Sequence, residues 1–499
     1  VIWVGTDDGN VQVTRDGGAT WTNVRANVPG LPAETWVGDV HASPSERGAA
    51  FIAVDNHRLD DFTPHVWETR DYGATWRDLS AGLPQDDYAK IVRQHPTQPD
   101  LLFVGMERGI QASFDHGETW IDIRNNLPRV SVRGLTIEPR YNDLVIGTHG
   151  RGAWILDDIG PLVHLAAAMG EETHLFPVRT ATRWESWDRD SNLGSSYYEG
   201  ENPPEGAIVN YWLAGEAALT DGSGSGSGSG SGNADDDGNG NVGAGVADSV
   251  VVRITDSQGR LVREIVDDEV GAGVNRIVWD LEWAGPTPLS SEDDEDGGRD
   301  GGGGPPAAPG MYTATLVANG GELSREFELR ADPAVEATQA DFDAQLTAAL
   351  QVRELQSQVN GMIDAVVDVS GQLGALRDAI EGKDVPNADR ILSLSERAMM
   401  RLDSLENSLH RPPPRMGYRQ YPRLAEELSF VNRGITGALA RPTEGQLQAV
   451  TEIGTETEQK AAELQQLLDT TISELNQLLE DQPKILPGWQ RRPRISLVR

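Results

Sequence analysis

The fold of this chain is decided by three octads: TRDGGATW at residues 14–21, TRDYGATW at 69–76 and SFDHGETW at 113–120. They share the pattern Ser/Thr-x-Asp-x-Gly-x-Thr-Trp. The second octad follows the first by 55 residues, and the third follows the second by 44. Repeats of ~40–50 residues that contain short strands are typical of four-stranded propeller blades. We therefore expect an array of β-propeller blades in the N-terminal third.

The sequence around the octads supports this prediction. Short strands are predicted before the second and third octads, at Ala50–Val54 and Leu101–Gly105. A fourth unit, at 144–156, lacks the octad but keeps the pattern of strand and glycine, and a loop near Leu59–Pro64 enlarges the first repeat. Val1–Gly5 already has the pattern of a blade strand, without an initiator Met. We expect further blades upstream of it, because most propeller rings contain more than four.

Beyond the blades the pattern changes twice. Six short strands with glycine-rich turns between Ala207 and Leu329 predict a β-sandwich of the immunoglobulin-like or FlgD-like type. A helical period then begins, with a helix near Ala388–Leu409 and a capping box at Thr443 and Gln446. The fold class is thus mainly β and multidomain, with an α-helical C-terminal module. The predicted domains are blades at 1–160, a connector at 161–205, a sandwich at 206–332 with disordered inserts at 216–248 and 287–306, a helical hairpin or bundle at 336–482 and a tail at 483–499.

Composition narrows the possible partners. The 499 residues include 78 Asp and Glu against 42 Lys and Arg, which gives a net charge of -36. This charge repels nucleic acids and anionic lipid surfaces, and it is the balance expected of a halophile-like protein kept soluble in concentrated salt. The absence of cysteine excludes disulfides and cysteine nucleophiles. No apolar run approaches ~20 residues, so we expect no membrane insertion.

The most regular residues of the octads are predicted to be structural. The aspartate is expected to accept backbone N–H groups in a tight hairpin, the glycine to take a left-handed conformation and the tryptophan to fill a gap between strands. Such hairpins lie at the rim of a blade, away from the central channel. The residues predicted for these roles are Asp16, Gly18, Trp21, Asp71, Gly73, Trp76, Asp115, Gly117 and Trp120.

Candidate ligand-binding residues lie outside the octads. His149 and Arg151 are flanked by glycines and could reach a ligand, although a turn with a satisfied histidine is the commoner arrangement. Residues 235–241 match the start of a calcium loop, but Val246 stands where a bidentate carboxylate is needed, so no metal is predicted. No cofactor is predicted either. The carboxylates in the blades that could reach a cleft are Asp39, Asp55, Asp60, Asp61, Glu107 and Asp143.

At the octads and at 144–158 the chain resembles the bacterial BNR (Asp-box) repeat proteins that carry the label glycosyl hydrolase, relatives of the sortilin-like β-propellers. Three later stretches, 202–207, 275–281 and 308–312, look like the sandwich that follows such propellers, so the resemblance covers most of residues 1–440. The family includes sialidases, xyloglucanases and sortilin-type receptors. The resemblance therefore implies export and a carbohydrate or peptide ligand more than a reaction. The Arg-Ile-Pro motif of sialidases does not occur in this sequence.

The leading hypothesis is an exported protein, secreted, periplasmic or on the cell surface, that binds a glycan or a peptide or protein ligand. The alternative is a sialidase-like or xyloglucanase-like glycoside hydrolase with two carboxyl groups about 5–9.5 Å apart, one of them with a raised pKa. It predicts an acidic cleft lined by exposed aromatic residues. A third possibility, an architectural surface protein, predicts no cluster of aromatic or charged residues at the channel mouth.

Overall fold

The computed structural model describes residues 1–32, 35–184, 200, 202–214, 250–290, 303–411, 421–479 and 483–489. Its N-terminal part consists of four consecutive antiparallel sheets, each of which follows the chain in order. Blade 1 contains β1 (Ile2–Gly5), β2 (Val11–Thr14) and β3 (Thr22–Asn23). Blade 2 contains β4 (Val37–Ala42), β5 (Ala50–Val54), β6 (His65–Thr69) and β7 (Arg77–Asp78). Blade 3 contains β8 (Ala89–Gln94), β9 (Leu102–Met106), β10 (Gly109–Ser113) and β11 (Ile121–Asp122). Blade 4 contains β12 (Val132–Glu138), β13 (Asp143–Thr148) and β14 (Ala153–Leu156).

The four sheets pack side by side through their first strands. Strand β4 lies against β1 and β8, and β8 lies against β12. Strands β5, β9 and β10 are buried along their whole length, because each is covered by a neighbouring blade on both faces. One core between blades 2 and 3 combines Phe51, Leu79 and Leu102 with Trp120. Antiparallel meanders packed in this way are propeller blades, so the predicted β-propeller-like fold is confirmed.

Each blade has two faces that differ in what the loops carry. The loop face holds the start of the first strand, the turn after the second strand and the end of the fourth. The octad face lies opposite, because in an antiparallel meander the hairpin between the third and fourth strands points the other way. In blades 2 and 3 the octads occupy that hairpin, and in blade 1 the octad occupies the matching hairpin between β2 and β3, the last two strands of that sheet.

Two further sheets follow the blades. The segment expected to be a connector contains α1 (Gly160–Ala168), β15 (Thr173–Leu175) and β16 (Ala181–Arg183). The remaining strands are β17 (Ala207–Leu213), β18 (Val250–Asp256), β19 (Leu261–Asp267), β20 (Gly273–Trp279), β21 (Gly310–Ala318) and β22 (Gly321–Ala331). The first sheet has the order β15-β17-β20 and the second β16-β22-β21-β18-β19. Both sheets face a common core around Trp279, so they form a two-layer β-sandwich. Its immunoglobulin-like topology stays a prediction.

The last part of the described chain is helical, as the change of period predicted. Its helices are α2 (Gln339–Ile380), α3 (Ala388–Leu409), α4 (Leu424–Thr436), α5 (Glu444–Leu467) and α6 (Ser473–Leu478), with a π-helical turn at Leu468–Ile472 between the last two. The capping box at Thr443 and Gln446 is present. Gln345 of α2 joins the sandwich to the helical module, because it accepts a hydrogen bond from Arg183 of β16 at 3.0 Å and donates one to the Ile435 carbonyl of α4 at 2.7 Å. No helix in the described ranges is both long and apolar enough to span a bilayer.

Most residues of the two predicted inserts lie outside the part of the chain that the structure describes. The insert at 216–248, with the calcium-like stretch 235–241, lies outside the described residues. So does the middle of the insert at 287–306. The start of that second insert packs on α2, where the Thr287 N–H donates to Ser357 at 3.0 Å and Asn360 donates to the Thr287 carbonyl at 2.7 Å.

Candidate functional site

The octad aspartates are held by hydrogen bonds within their own hairpins. Asp16 accepts the backbone N–H of Thr20 at 2.9 Å and the Thr20 hydroxyl at 2.7 Å. Asp71 and Asp115 accept the equivalent pairs in the other two octads. These bonds, first of all the one from the Thr20 backbone, lower the pKa of Asp16 well below its ordinary value. All three carboxylates are thus committed to the hairpin.

The glycines and tryptophans of the octads pack differently from blade to blade. Gly18, Gly73 and Gly117 have positive φ, and so has the residue before each of them. Trp120 is buried and donates its indole N–H to the Leu79 carbonyl of the preceding blade at 3.0 Å. Trp21 is 42 % exposed, so the expectation that it fills a gap between strands is wrong. Trp76, which is also buried, makes an edge contact with Trp3 of the preceding blade at 6.2 Å.

The loop face repeats one backbone feature three times. The first strands of blades 2, 3 and 4 each carry a β-bulge near their start, where one extra residue leaves the pairing. Bulges of this kind redirect a side chain and are common next to functional sites. The extra residues are Gly38, Lys90 and Arg133.

A second backbone feature repeats beside each bulge. The acceptor is the backbone carbonyl of the residue two positions before the bulge. The donor is the backbone N–H of the first residue after the second strand. The three bonds run from Asp55 to Trp36 at 3.1 Å, from Glu107 to Tyr88 at 3.1 Å and from His149 to Ser131 at 2.8 Å. The backbone is therefore the same in the three blades, while the residues differ. Blades 2 and 3 each present an aromatic ring and a carboxylate at these two positions, and blade 4 presents Ser131 and His149.

Lys90 is the centre of the site. Its ammonium donates a hydrogen bond to Asp55 at 2.8 Å, lies 3.2 Å from Glu107 Oε2 and sits 4.2 Å from the centroid of the Tyr88 ring. The Lys90 side chain is only 7 % exposed. His57 completes the cluster, because it hydrogen-bonds Asp55 and stacks on Tyr88 with the ring centroids 4.9 Å apart.

The carboxyl groups around Lys90 differ in their pKa. Burial alone would raise the pKa of Asp55 and Glu107, but hydrogen bonds, including those from Lys90, outweigh it and hold both values below the ordinary range. Burial raises the pKa of Asp87, with a contribution from the charge of Glu107. Asp87 accepts the Arg108 N–H at 3.1 Å on one oxygen, while the other has no hydrogen-bond partner among the described residues. Burial and Glu107 also raise the pKa of Tyr88.

An excursion between β5 and β6 forms a wall beside this cluster. It spans residues 55–64 and contains a 3-10 turn at His57–Leu59. Phe62 is exposed and makes an edge contact with Tyr88 at 6.1 Å. The Arg58 guanidinium lies 4.4 Å from the centre of the Trp36 ring, which is 37 % exposed. The loop near Leu59–Pro64 that the sequence predicted is therefore an aromatic edge of the loop face.

The two residues singled out from the sequence, His149 and Arg151, lie on the loop face of blade 4. Both are exposed. The Arg151 carbonyl accepts the indole N–H of Trp154 at 3.0 Å, which shapes the turn. Their role as ligand-binding residues stays a prediction.

The carboxylates considered from the sequence are dispersed. Asp55 and Glu107 meet at Lys90, as described above. Asp39 pairs with Arg93 at 2.7 Å inside the sheet array, and Asp143 pairs with Arg179 at 3.3 Å. Sequence reasoning missed Lys90, Tyr88, Trp36 and Asp87. The scarcity of lysine was the one signal, since Lys90 is the only lysine in the first 380 residues.

Other parts of the described chain hold cavities but no arrangement for a metal. A cavity of about 300 Å³ lies between the sandwich and the end of α4, with Arg183 and Glu282 in its wall. Another of about 600 Å³ lies between α4 and α5. No cluster of three or more His, Asp or Glu suited to a metal ion occurs within the described ranges.

Comparison with known proteins gives little more. No protein-family model and no curated protein matches the chain. Among solved structures, the GH74 enzyme of Niastella koreensis is similar at 15% identity over 31% of this chain and 26% of its own, with a TM-score of 0.23. The GH74 xyloglucanase of Xanthomonas campestris (12% identity, 66% and 45%, TM-score 0.23) and an ancestral GH74 enzyme (11% identity, 66% and 55%, TM-score 0.24) are also similar. The chain therefore spans 26% to 55% of these enzymes. Similarity of this extent does not assign an activity to this chain.

Proposed function

We propose that the blade region binds a glycan on its loop face. The observation that carries this proposal is the repeated backbone of blades 2, 3 and 4, which presents different side chains at equivalent positions. On the octad face the repeats keep the same residues, because those residues make the hairpin. On the loop face the residues differ from blade to blade, and the exposed rings of Trp36 and Phe62 are open to a ligand beside the buried cluster of Lys90.

The chemistry of the loop face favours a sugar. A pyranose ring has an apolar face of C–H groups and a rim of hydroxyls, so it fits an exposed aromatic ring beside charged hydrogen-bonding groups. Trp36 and Phe62 are such rings, and they adjoin the cluster of Asp55, Lys90 and Glu107. Clustered aromatic and charged side chains are also the feature that an architectural protein lacks. Export to a compartment where free polysaccharide is met forms part of the proposal, as does a kinship with BNR repeat and sortilin-like proteins.

The test is glycan-array binding followed by titration calorimetry of the whole chain. Trp36→Ala should weaken binding about tenfold or more, because it removes a stacking platform from the ligand side. Trp21→Ala is the matched control, since Trp21 is exposed to a similar degree, 42 % against 37 % for Trp36, but lies on the octad face. Equal losses in the two variants, or binding of peptides alone, would contradict the proposal.

A glycoside hydrolase is the second candidate, and it rests on Asp87. A carboxyl group with a raised pKa beside a carboxylate with a lowered pKa is the pairing that acid and base catalysis require. Asp87 and Glu107 have these opposite shifts, and the charge of Glu107 is one of the causes that raise the pKa of Asp87.

Turnover of xyloglucan, β-glucans and sialosides tests the enzyme hypothesis. Asp87→Asn and Glu107→Gln should each reduce kcat at least about a hundredfold, because each removes one partner of the proton transfer. Asp86→Asn is the control, since Asp86 is exposed and pairs only with Arg108 in the described part of the blade. Binding without turnover would eliminate the enzyme hypothesis and leave the binding protein.

A further inference from the structure

The loop face of blade 4 carries an unusual charge. Two loops form it, residues 126–133 before and into β12 and residues 148–153 between β13 and β14. Neither contains Asp or Glu, in a chain that has 78 of them. The loops instead contain Arg129, Arg133, His149 and Arg151, all of them exposed. We call these four residues the blade 4 cations.

The blade 4 cations form no ion pair with a carboxylate of the described residues, although the charge of Arg129 is among the causes that lower the pKa of Asp122. Among the described residues no Asp or Glu oxygen lies within 4.0 Å of any of them. In blade 3 the exposed Arg108 pairs with Asp86 at 3.0 Å, whereas Arg58 of blade 2 lies over the Trp36 ring. What distinguishes the blade 4 cations is that four of them lie on two loops without Asp or Glu, so they are available for an anion.

These cations adjoin the site described above. Arg133 Nε lies 3.4 Å from the Ser131 hydroxyl, and Ser131 in turn hydrogen-bonds Glu107. The loop face therefore changes in character from blade to blade. Blade 2 offers aromatic rings, blade 3 offers the cluster around Lys90, and blade 4 offers positive charge.

We propose that the ligand is an acidic oligosaccharide whose uronate carboxylate binds the blade 4 cations while its remaining sugars cover blades 2 and 3. This inference rests on the proposed function and names its substrate class. Arginine binds carboxylate through two parallel hydrogen bonds, which suits Arg133 and Arg151. Charges farther away than about 8 Å are largely screened at physiological ionic strength, so the local cations outweigh the net charge of -36 for a ligand with few carboxylates. A nucleic acid, which is charged at every residue, would be repelled.

The experiment compares tetragalacturonic acid with its carboxyl-reduced, neutral counterpart by titration calorimetry on the whole chain in 0.15 M NaCl. The acid should bind about tenfold or more tightly than the neutral tetramer. The double variant Arg133→Gln/Arg151→Gln should remove this difference and leave the affinity for the neutral tetramer unchanged. The control Arg15→Gln/Arg47→Gln makes the same change of charge with exposed arginines of the octad face and should bind like the wild type.

The outcomes separate this inference from the proposed function. Equal binding of the two tetramers, unaffected by the double variant, overturns the acidic ligand and leaves glycan binding in place. If tetraglutamate binds as tightly as tetragalacturonic acid and the double variant loses this binding, the ligand is not a sugar. The blade 4 cations are then assigned to an acidic peptide. Loss of binding in the control pair shows a response to net charge alone and overturns the inference.

Discussion

At the scale of single residues, Lys90 stabilises the blades as well as shaping the site. Its ammonium is buried between Asp55 and Glu107, whose side chains are 14 % and 34 % exposed. Lys90→Met would leave two carboxylates close together without their cation. We expect a loss of about 2–4 kcal/mol in the free energy of unfolding at pH 7, which is the cost of breaking a buried pair after an allowance for solvent screening at Glu107.

Urea unfolding at pH 7 and pH 4 measures this effect. Native pKa values below the ordinary range mean that Asp55 and Glu107 stabilise the wild type above the unfolded pKa and lose that contribution as the pH falls. The deficit of Lys90→Met should therefore shrink at pH 4. Arg108→Met is the control, because its pair with Asp86 is exposed and is expected to contribute at most about 1 kcal/mol. A deficit in Lys90→Met no larger than in this control would contradict the prediction.

His41 gives a second prediction at the same scale. Burial first, and then the charge of Arg93, lower the pKa of His41 to about 4. An unfolded histidine titrates near pH 6.5, so the unfolded state binds the extra proton between these values and stability falls as the pH drops from 7 to 5. His41→Gln, which does not titrate, should remove about 1–2 kcal/mol of that fall.

The measurement is the free energy of unfolding at pH 7, 6 and 5. The carboxylates with lowered pKa values, such as Asp55 and Glu107, lose their contribution below this window. His95, whose pKa burial also lowers, accounts for part of the slope that remains. His149→Gln is the control, since His149 is exposed on the loop face. An unchanged slope in His41→Gln would contradict the prediction, because it would mean that this imidazole takes up its proton over the same pH range in the native and the unfolded protein.

At the scale of elements, the second strands of the blades need a small residue where neighbouring blades meet. A Cβ at Gly105 of β9 would lie 2.6 Å from Ile91 and 2.8 Å from Val132 of the next blade. Gly147 occupies the equivalent position of β13, and there the nearest atom would be 3.4 Å away. Gly105→Ala should therefore cost about 1–3 kcal/mol, the range of an overpacked core, while Gly147→Ala should change stability by less than about 1 kcal/mol. Thermal and urea unfolding of the two variants measures this difference. A similar loss of stability in both would contradict the close contact between blades at Gly105.

Elements with a strong local pattern were predictable from the sequence. Strand β5 at Ala50–Val54 and helix α3 at Ala388–Leu409 have the predicted bounds, because each is specified by its own apolar spacing. Strands β15 and β16 were not predicted. They have three residues each and exist through pairing with β17 and β22, which are distant in sequence. The site was hidden for a related reason, since Trp36, Tyr88 and Ser131 become equivalent only through the bulges.

At the scale of the whole molecule, the net charge of -36 acts on every module at once. Such an excess of carboxylates repels itself in the compact state. Salt shortens the range of this repulsion, from a Debye length of about 14 Å at 0.05 M to about 3 Å at 1 M. It also weakens the surface ion pairs, but these involve far fewer charges and contribute little each.

Raising NaCl from 0.05 M to 1 M at pH 7.5 should therefore increase the Tm by about 5 °C or more. The matched control is the same salt series at pH 4.5, which is close to the pI of about 4.5, because there the net charge is nearly zero and the increase should almost vanish. Differential scanning calorimetry measures both series on the whole chain. A Tm that fell with salt at pH 7.5 would mean that ion pairs such as those of Lys90 and Glu68 outweigh the repulsion, and would contradict the expectation that the acidic composition suits concentrated salt.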